Sequence, residues 1–411
     1  MKVLQINSVC GIGSTGRIVT DIHNILIEQG HESYIAYGRD LPKNCDTPIK
    51  IGSKLDNYKH VALTRIFDKH GFGSKKATQK FIEKVKELDP DIIHLHNIHG
   101  YYINIEVLFD YLKKADKPVV WTLHDCWSFT GHCAYFDYVG CDKWKTSCYD
   151  CPEKNSYPAS VIIDNSKDNY IKKKELFTGI KNLTIVTPSK WLAGLVKQSY
   201  LREYPVEVIN NGIDLDVFKP TQSDFRERFN LEDKFIILGV ASTWNRRKGF
   251  KYFIELSKKI KNDEVIVLVG LSEKQRKYLP KNIIGITRTS NVKELAEIYT
   301  AADVFLNPTL EDNFPTTNLE ALACGTPVIT FDTGGSPESI DEKTGFVIRK
   351  GNPNELLEKI QQLRSKEKIF LREDMLERAN TLYDKERKYN EYIKLYDSCR
   401  DMTIYKERET Q

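Results

Sequence analysis

The chain has 411 residues, of which 40% are hydrophobic and 29% charged, with a formal net charge of +4. That is the balance of a soluble globular protein, too long for one ordinary core and suited to two domains of about 150–200 residues each. The small net charge excludes a general nucleic-acid binder, and no apolar run approaches the roughly 20 residues that span a bilayer as a helix.

The first ten residues read as a short apolar strand running into glycines, without the pattern of a cleaved leader, which predicts a cytoplasmic protein. Residues 3–7 are the strand, Gly11-Ile12-Gly13-Ser14-Thr15-Gly16 follows, and a helical pattern runs from Arg17 to Gln29. Strand-like runs continue at 34–37, 92–94, 119–122, 183–187 and 206–209, separated by helical stretches such as 79–88 and 190–199. Continuous apolar strands alternating with helices imply a parallel sheet covered on both faces. After the turn signal Asn210-Asn211-Gly212 a second series begins. Its strands are expected at 235–240, 265–269, 283–286, 304–307 and 328–331, its helices at 251–261, 292–300, 317–323 and 354–364. A last helical stretch near 374–398 is long enough to return to the first domain. The predicted organisation is therefore a domain over 1–210, a second over 211–380, and a C-terminal helix over 381–411.

Two stretches depart from average composition. Residues 50–86 hold ten basic and three acidic side chains. They form either a solvated helix face with loops, or a surface that meets an anionic membrane or a phosphate-bearing acceptor. Five of the nine cysteines crowd into an insert over 126–152. In a chain without an export signal, crowding points to metal before disulfides. Cys133, Cys141, Cys148 and Cys151 are spaced C-x7-C-x6-C-x2-C, with Cys126 and His132 as spare candidates. Structural zinc needs four such ligands; the other reading is a set of reduced, buried thiols.

Ligands bind outside the carboxyl ends of strands in such sheets, so the loops there carry the chemistry. The glycines at 11, 13 and 16 have dinucleotide-fingerprint spacing, but strand 34–37 leads to Gly38 and Arg39 instead of a ribose-binding acid, which disfavours an NAD oxidoreductase. What remains is a turn whose amides approach a phosphate, or a purely structural turn. His124-Asp125 ends strand 119–122. A histidine there either serves a sugar hydroxyl or is a satisfied structural residue, and the same alternatives hold for His94, His96 and His99. Arg246, Arg247 and Lys248 open a helix where cations oppose its dipole, so a compensating anion such as a diphosphate is expected. In 311–320 a polar loop enters a short helix. The amides of Thr316, Thr317 and Asn318 are free to take a diphosphate, and Glu320, about one turn inside, suits a ribose diol.

A carboxylate, seven residues, Glu320 and then Ala-Leu-Ala-Cys-Gly-Thr-Pro-Val resembles the donor motif of the large retaining GT-B glycosyltransferase family, the glycosyl transferases group 1. Residues 208–214, 187–191 and 302–305 are similar to its further signatures. The His-Asp-Cys-Trp segment with its cysteines looks most like capsule, exopolysaccharide and colanic-acid-type transferases of bacteria. The resemblance implies an α/β GT-B fold, two doubly wound Rossmann-like domains facing a cleft, the first taking the acceptor and the second the donor.

Carried over to this chain, the resemblance implies that Gly16, with Gly13 beside it, meets the donor diphosphate or sugar. His124 would meet the transferred sugar, Lys248 the diphosphate and Glu320 the ribose. The loop-opening carboxylate counts to Asp312, with Glu311 one residue out of register. The family's arginine falls on Ser242 or Thr243, so Arg246 or Arg247 is expected to replace it. Asn313, Phe314, Thr316 and Thr317 complete the donor set, and His124, Asp312 and Glu320 the catalytic one. The implied reaction moves a hexose from a nucleotide diphosphate to a glycan or lipid-linked oligosaccharide with retention, needing no catalytic metal. An epimerase on the same fold and a non-catalytic nucleotide-sugar-binding scaffold are the alternatives. Peripheral contact with the inner face of an anionic membrane is expected; nucleic acid is not.

Overall fold

The computed structural model describes residues 1–409, with side chains through Asp401. The chain forms two compact units, Met1–Asn210 with the segment from Glu386 onward, and Asn211–Lys385.

The first unit contains strands β1 (Lys2–Asn7), β2 (Glu32–Tyr37), β3 (Pro48–Lys50), β4 (Ile92–Leu95), β5 (Val119–Thr122), β6 (Leu183–Thr187) and β7 (Val206–Val208), in spatial order β3-β2-β1-β4-β5-β6-β7. All its pairings are parallel. The second unit contains β8 (Phe235–Val240), β9 (Glu264–Val269), β10 (Ile283–Ile286), β11 (Val304–Asn307), β12 (Val328–Phe331) and β13 (Gly345–Ile348), ordered β10-β9-β8-β11-β12-β13 and again parallel. Central strands such as β5 are buried throughout, which is why they read as unbroken apolar runs. Strand order reverses between β1 and β4 in one sheet and between β8 and β11 in the other. In doubly wound sheets such a reversal is where ligands bind, outside the carboxyl ends of the strands.

Several local readings change: the helix expected over 79–88 starts at Lys75, and the one expected over 251–261 runs from Phe250 to Ser257. The helix after the glycine loop begins at Gly13, one turn before Arg17. The short edge strands β3 and β13 were not foreseen, since three or four partly exposed residues are too short a run to read as a strand. The last helical stretch is two helices, Arg372–Leu382 and Lys385–Glu409. The break falls where Ile213 inserts its backbone, its N–H donating to Tyr383 O at 2.7 Å and its carbonyl accepting from Lys385 N at 3.0 Å. Gly212 permits this approach, because a Cβ there would lie 2.6 Å from Lys385 Cα.

The final helix buries Tyr389, Tyr392, Ile393, Tyr396 and Cys399, one face at three- and four-residue spacing, in a cluster with Ile18, Ile22 and Leu26 of the helix Gly13–Glu28. It is also pinned by polar contacts: His94 Nδ1 lies 2.6 Å from the Tyr396 hydroxyl and Nε2 lies 2.8 Å from Thr122 Oγ1. His94 is thereby a structural histidine.

Candidate active site

In the second unit the loops after β8 and β11 are stitched together at the switch point. Gly249 adopts φ +75°, and a Cβ there would stand 2.0 Å from Pro308 O, so only glycine admits the contact. Arg247 O accepts from Leu310 N at 2.7 Å, and Arg247 Nη1 donates to Glu311 O at 2.5 Å. Arg247 is thus a strut between the loops, while Arg246 is exposed. Lys248 is ion-paired with Asp312, and Arg247 Nη1 stands 3.9 Å from the same carboxylate oxygen. Burial pushes the Asp312 carboxyl up, but Lys248 and then Arg247 outweigh it and hold Asp312 below the usual carboxylate range. Burial also draws the Lys248 ammonium down, against the opposing pull of Asp312.

Asp312 leads into the helix Thr316–Ala323, whose N-cap is Pro315 and which has no side-chain cap and no acid in its first turn. Thr316 and Thr317 are half-buried there. The Asn318 amide is committed to Pro315 O at 3.1 Å, which corrects its expected place among the open donors. Its side chain is also engaged, with Asn307 and Ser339 both at 2.8 Å. Glu320 is 4% exposed and accepts from the Tyr299 hydroxyl at 2.9 Å. Asn313 and Glu311 are buried. Phe314, expected to touch the donor, instead packs edge-on against Tyr383 in the core. A large apolar ring gains more from burial than from a polar loop, and its role is to anchor the segment. Gly334 closes the far side, where a Cβ would lie 2.0 Å from Asp312 O.

In the first unit the glycine loop and His124 lie at the carboxyl end of the sheet. Gly13 is exposed with open space around it. Gly16 is buried, with a Cβ position 3.1 Å from Val9 and 3.2 Å from Gly11 N, so it packs the turn while Gly13 presents backbone. His124 is held through a chain that sequence reading missed. Gln5 Nε2 donates to Val19 O at 3.0 Å, which leaves Gln5 Oε1 to accept from His96 Nε2 at 3.2 Å. His96 Nδ1 must then accept, so His124 Nε2, 3.1 Å away, is its donor. The Gln5 amide thus sets the tautomer of a ring two residues removed. Burial lowers the His124 pKa to about 4, Asp125 opposing, so the ring is neutral at neutral pH. Asp125, the acid that singled out His124 in the sequence, is instead paired with His99 at 2.9 Å and accepts from Trp127 N at 2.9 Å.

The four predicted zinc ligands Cys133, Cys141, Cys148 and Cys151 line one cavity with His132, Phe136 and Trp144. His132 Nδ1 is held by Asp68, and its buried Nε2 has no hydrogen-bond partner. The donor set suits zinc. The arrangement does not yet close around one: among the described residues no group of three or more His, Cys, Asp or Glu side chains is placed to hold a metal ion.

A seven-stranded and a six-stranded parallel sheet, each with a glycine-dependent loop at its switch point, are the two Rossmann-like units of a GT-B fold. The family models agree: "Glycosyltransferase Family 4" matches residues 15–217 and "Glycosyl transferases group 1" residues 234–366. The chain belongs to the group 1 glycosyltransferases. It is 25% identical over 424 residues to the Escherichia coli K12 protein named "Putative colanic acid biosynthesis glycosyl transferase WcaC", covering 97% of this chain and 100% of the relative. It is 30% identical over 210 residues to the N,N'-diacetylbacillosaminyl-diphospho-undecaprenol alpha-1,3-N-acetylgalactosaminyltransferase of Campylobacter jejuni, covering 48% of this chain and 55% of that one. Among solved structures, the fold is similar to sucrose-phosphate synthase from Thermosynechococcus elongatus (TM-score 0.72, 18% identity, 97% and 99% covered). It is also similar to Anabaena HepE in complex with UDP (TM-score 0.69, 16% identity, 97% and 100% covered).

Proposed function

We propose that the protein transfers a hexose-type sugar from a nucleoside diphosphate donor to a glycan or lipid-linked acceptor, with retention of configuration, in the assembly of a surface polysaccharide. The observation that carries this reading is the Lys248–Asp312 pair, its carboxylate four residues before the uncapped start of the helix Thr316–Ala323, with Glu320 one turn inside. On donor binding Lys248 exchanges Asp312 for the diphosphate, and the released carboxylate turns to the sugar hydroxyls. Lys248, Arg246 and the first helix amides then meet negative charge where it grows as the anomeric bond breaks, so no catalytic metal is invoked. The acceptor hydroxyl attacks the anomeric carbon on the face the diphosphate leaves, and its proton passes to a donor phosphate oxygen. HepE binds UDP and the Campylobacter relative is named for a diphospho-undecaprenol substrate, which supports these two partner classes. Action at the inner face of a cell membrane follows from a lipid-linked acceptor; no described helix is long and apolar enough to cross one.

Glu320→Gln tests the donor site, since the amide still accepts from Tyr299 but loses the charge offered to a ribose diol. The donor KM should rise about 10–100-fold, the worth of charge-assisted hydrogen bonds, with the melting temperature preserved. An unchanged donor KM would sink the assignment. An epimerase would instead isomerise the donor with no acceptor present, and a scaffold would bind it without turnover.

Zinc at the cysteine cavity is a separate proposal, in which loading draws the sulfurs together around the metal and rigidifies the 126–152 insert. Elemental analysis of protein purified without chelator should give stoichiometric zinc. Four freely titrating thiols in metal-free, folded protein would remove it.

A further inference from the structure

We propose that the first unit carries a docking face for an anionic lipid bilayer, formed by the outer side of the helix Lys54–Phe67 and the segment 160–163. This deepens the reading of a lipid-linked acceptor and rests on it for its purpose, not for its geometry.

The helix is inverted relative to an ordinary surface helix. Its buried residues are the polar His60 and Thr64, while Leu55 is 60% exposed, Tyr58 71% and Phe67 45%. Leu55, Tyr58, Ala62 and Ile66 recur at spacings of three, four and four, one stripe turned to the outside. At its C-terminal end the segment 160–163 pairs with it. Val161 N donates to Arg65 O at 2.7 Å and Ile163 N to Ile66 O at 3.3 Å. This sets Val161 (67% exposed) and Ile162 (65%) beside Ile66 and Phe67, extending the apolar surface beyond the helix.

The segment is held by polar contacts, so the patch is built before any partner arrives. Buried Asp68 is the anchor: its carboxylate binds His132 and accepts from Asn165 N at 2.9 Å, and its carbonyl accepts from Asn169 Nδ2 at 2.5 Å. Ser160 Oγ closes the loop onto Ile163 O at 2.6 Å.

Charge chooses the occupant. Lys54, Lys59, Arg65 and Lys69 are exposed around the stripe, and Lys154 Nζ reaches Ile162 O at 3.3 Å. The two carboxylates close by are engaged with backbone donors, Asp56 in the capping box with Ser53 and Asp164 with the amides of Cys151 and Ser166. Protein interfaces are depleted in lysine. A lysine rim around outward Leu, Ile and Tyr side chains is instead the pattern of interfacial anchoring on acidic headgroups.

The test is flotation of the full chain with vesicles of phosphatidylcholine, with and without phosphatidylglycerol. The parent should float with the phosphatidylglycerol vesicles and be released by high salt. Phe67→Ser with Ile162→Asp should lower the bound fraction about tenfold or more. Lys59→Glu with Lys69→Glu should do the same and flatten the salt dependence. Retention of the parent's melting temperature shows that each variant is folded. Equal flotation with both vesicle types, or parent-like flotation of the Phe67/Ile162 variant, would overturn the proposal. So would a concentration-dependent dimer in sedimentation velocity that this variant dissolves, since the occupant would then be a second copy. The vesicles carry no acceptor sugar, so transfer to a soluble acceptor reads the proposed activity independently.

Discussion

Asp312→Asn should bind a nucleoside diphosphate at least as tightly as the parent while transferring sugar far more slowly, and Lys248→Met should lose both. Lys248 is neutralised by Asp312 at a largely buried position, side chains 23% and 15% exposed. A diphosphate must compete with that carboxylate. Removing the carboxylate's charge frees the ammonium for the ligand but deletes the group assigned to the sugar. Removing Lys248 strands Asp312, whose other cation is Arg247 Nη1 at 3.9 Å. The single Lys248→Met variant should therefore also lose stability, by at most about 3 kcal/mol, and the Asp312→Asn partner change should recover that loss. Transfer should fall on the order of 10²–10³-fold in Lys248→Met, the scale of one lost oxyanion-type contact. Isothermal titration with nucleoside diphosphates, melting temperatures and initial rates separate these effects. If Lys248→Met transfers sugar at the parent rate, the pair is structural and the clamp lies elsewhere.

Acid should destabilise the first unit steeply. Burial holds His60 and His124 down to about 4 and keeps His70, His94 and His96 well below the ordinary 6.5. In the unfolded chain these rings take protons at the ordinary value. Stability is therefore fully present above about pH 6.5 and declines as pH falls through that value toward 4, by up to about 1.4 kcal/mol per pH unit for each ring. His132 runs the other way: burial lowers it, but Asp68 more than compensates and raises its pKa. One opposing ring does not cancel five. Melting temperature followed from about pH 7.5 to 5 should drop progressively, and a flat profile would contradict the buried-neutral assignment. His94→Gln should lose part of the slope, because Tyr396 and Thr122 would then meet an amide that does not titrate.

Periodicity located most strands of both sheets because central parallel strands are apolar on both faces. The segment 311–327 was legible because a helix start, a buried glutamate and a left-handed glycine just past the helix end, Gly325 at φ +76°, occur at set spacing. Its geometry was not legible. Sequence offered the phenylalanine of 313–317 to the ligand, and packing took Phe314 into the core. It paired His124 with Asp125, whereas the fold turned Asp125 to His99 and gave His124 the chain through His96 to Gln5, about 120 residues upstream. The basic stretch over 50–86 signalled charge, but the inverted helix inside it became visible only once His60 and Thr64 were seen buried.

By itself, then, the sequence determined two series of parallel strands, the family and the identity of the ion-bearing side chains, because local spacing and residue type encode those. Only the tertiary structure decided that the loops after β8 and β11 meet at a switch point. It alone decided that Lys248 rests on Asp312, that the last helix joins the first unit, and which histidines are neutral. Each depends on which distant groups share a buried volume, and desolvation and hydrogen-bond partnership follow from that volume, not from neighbours along the chain.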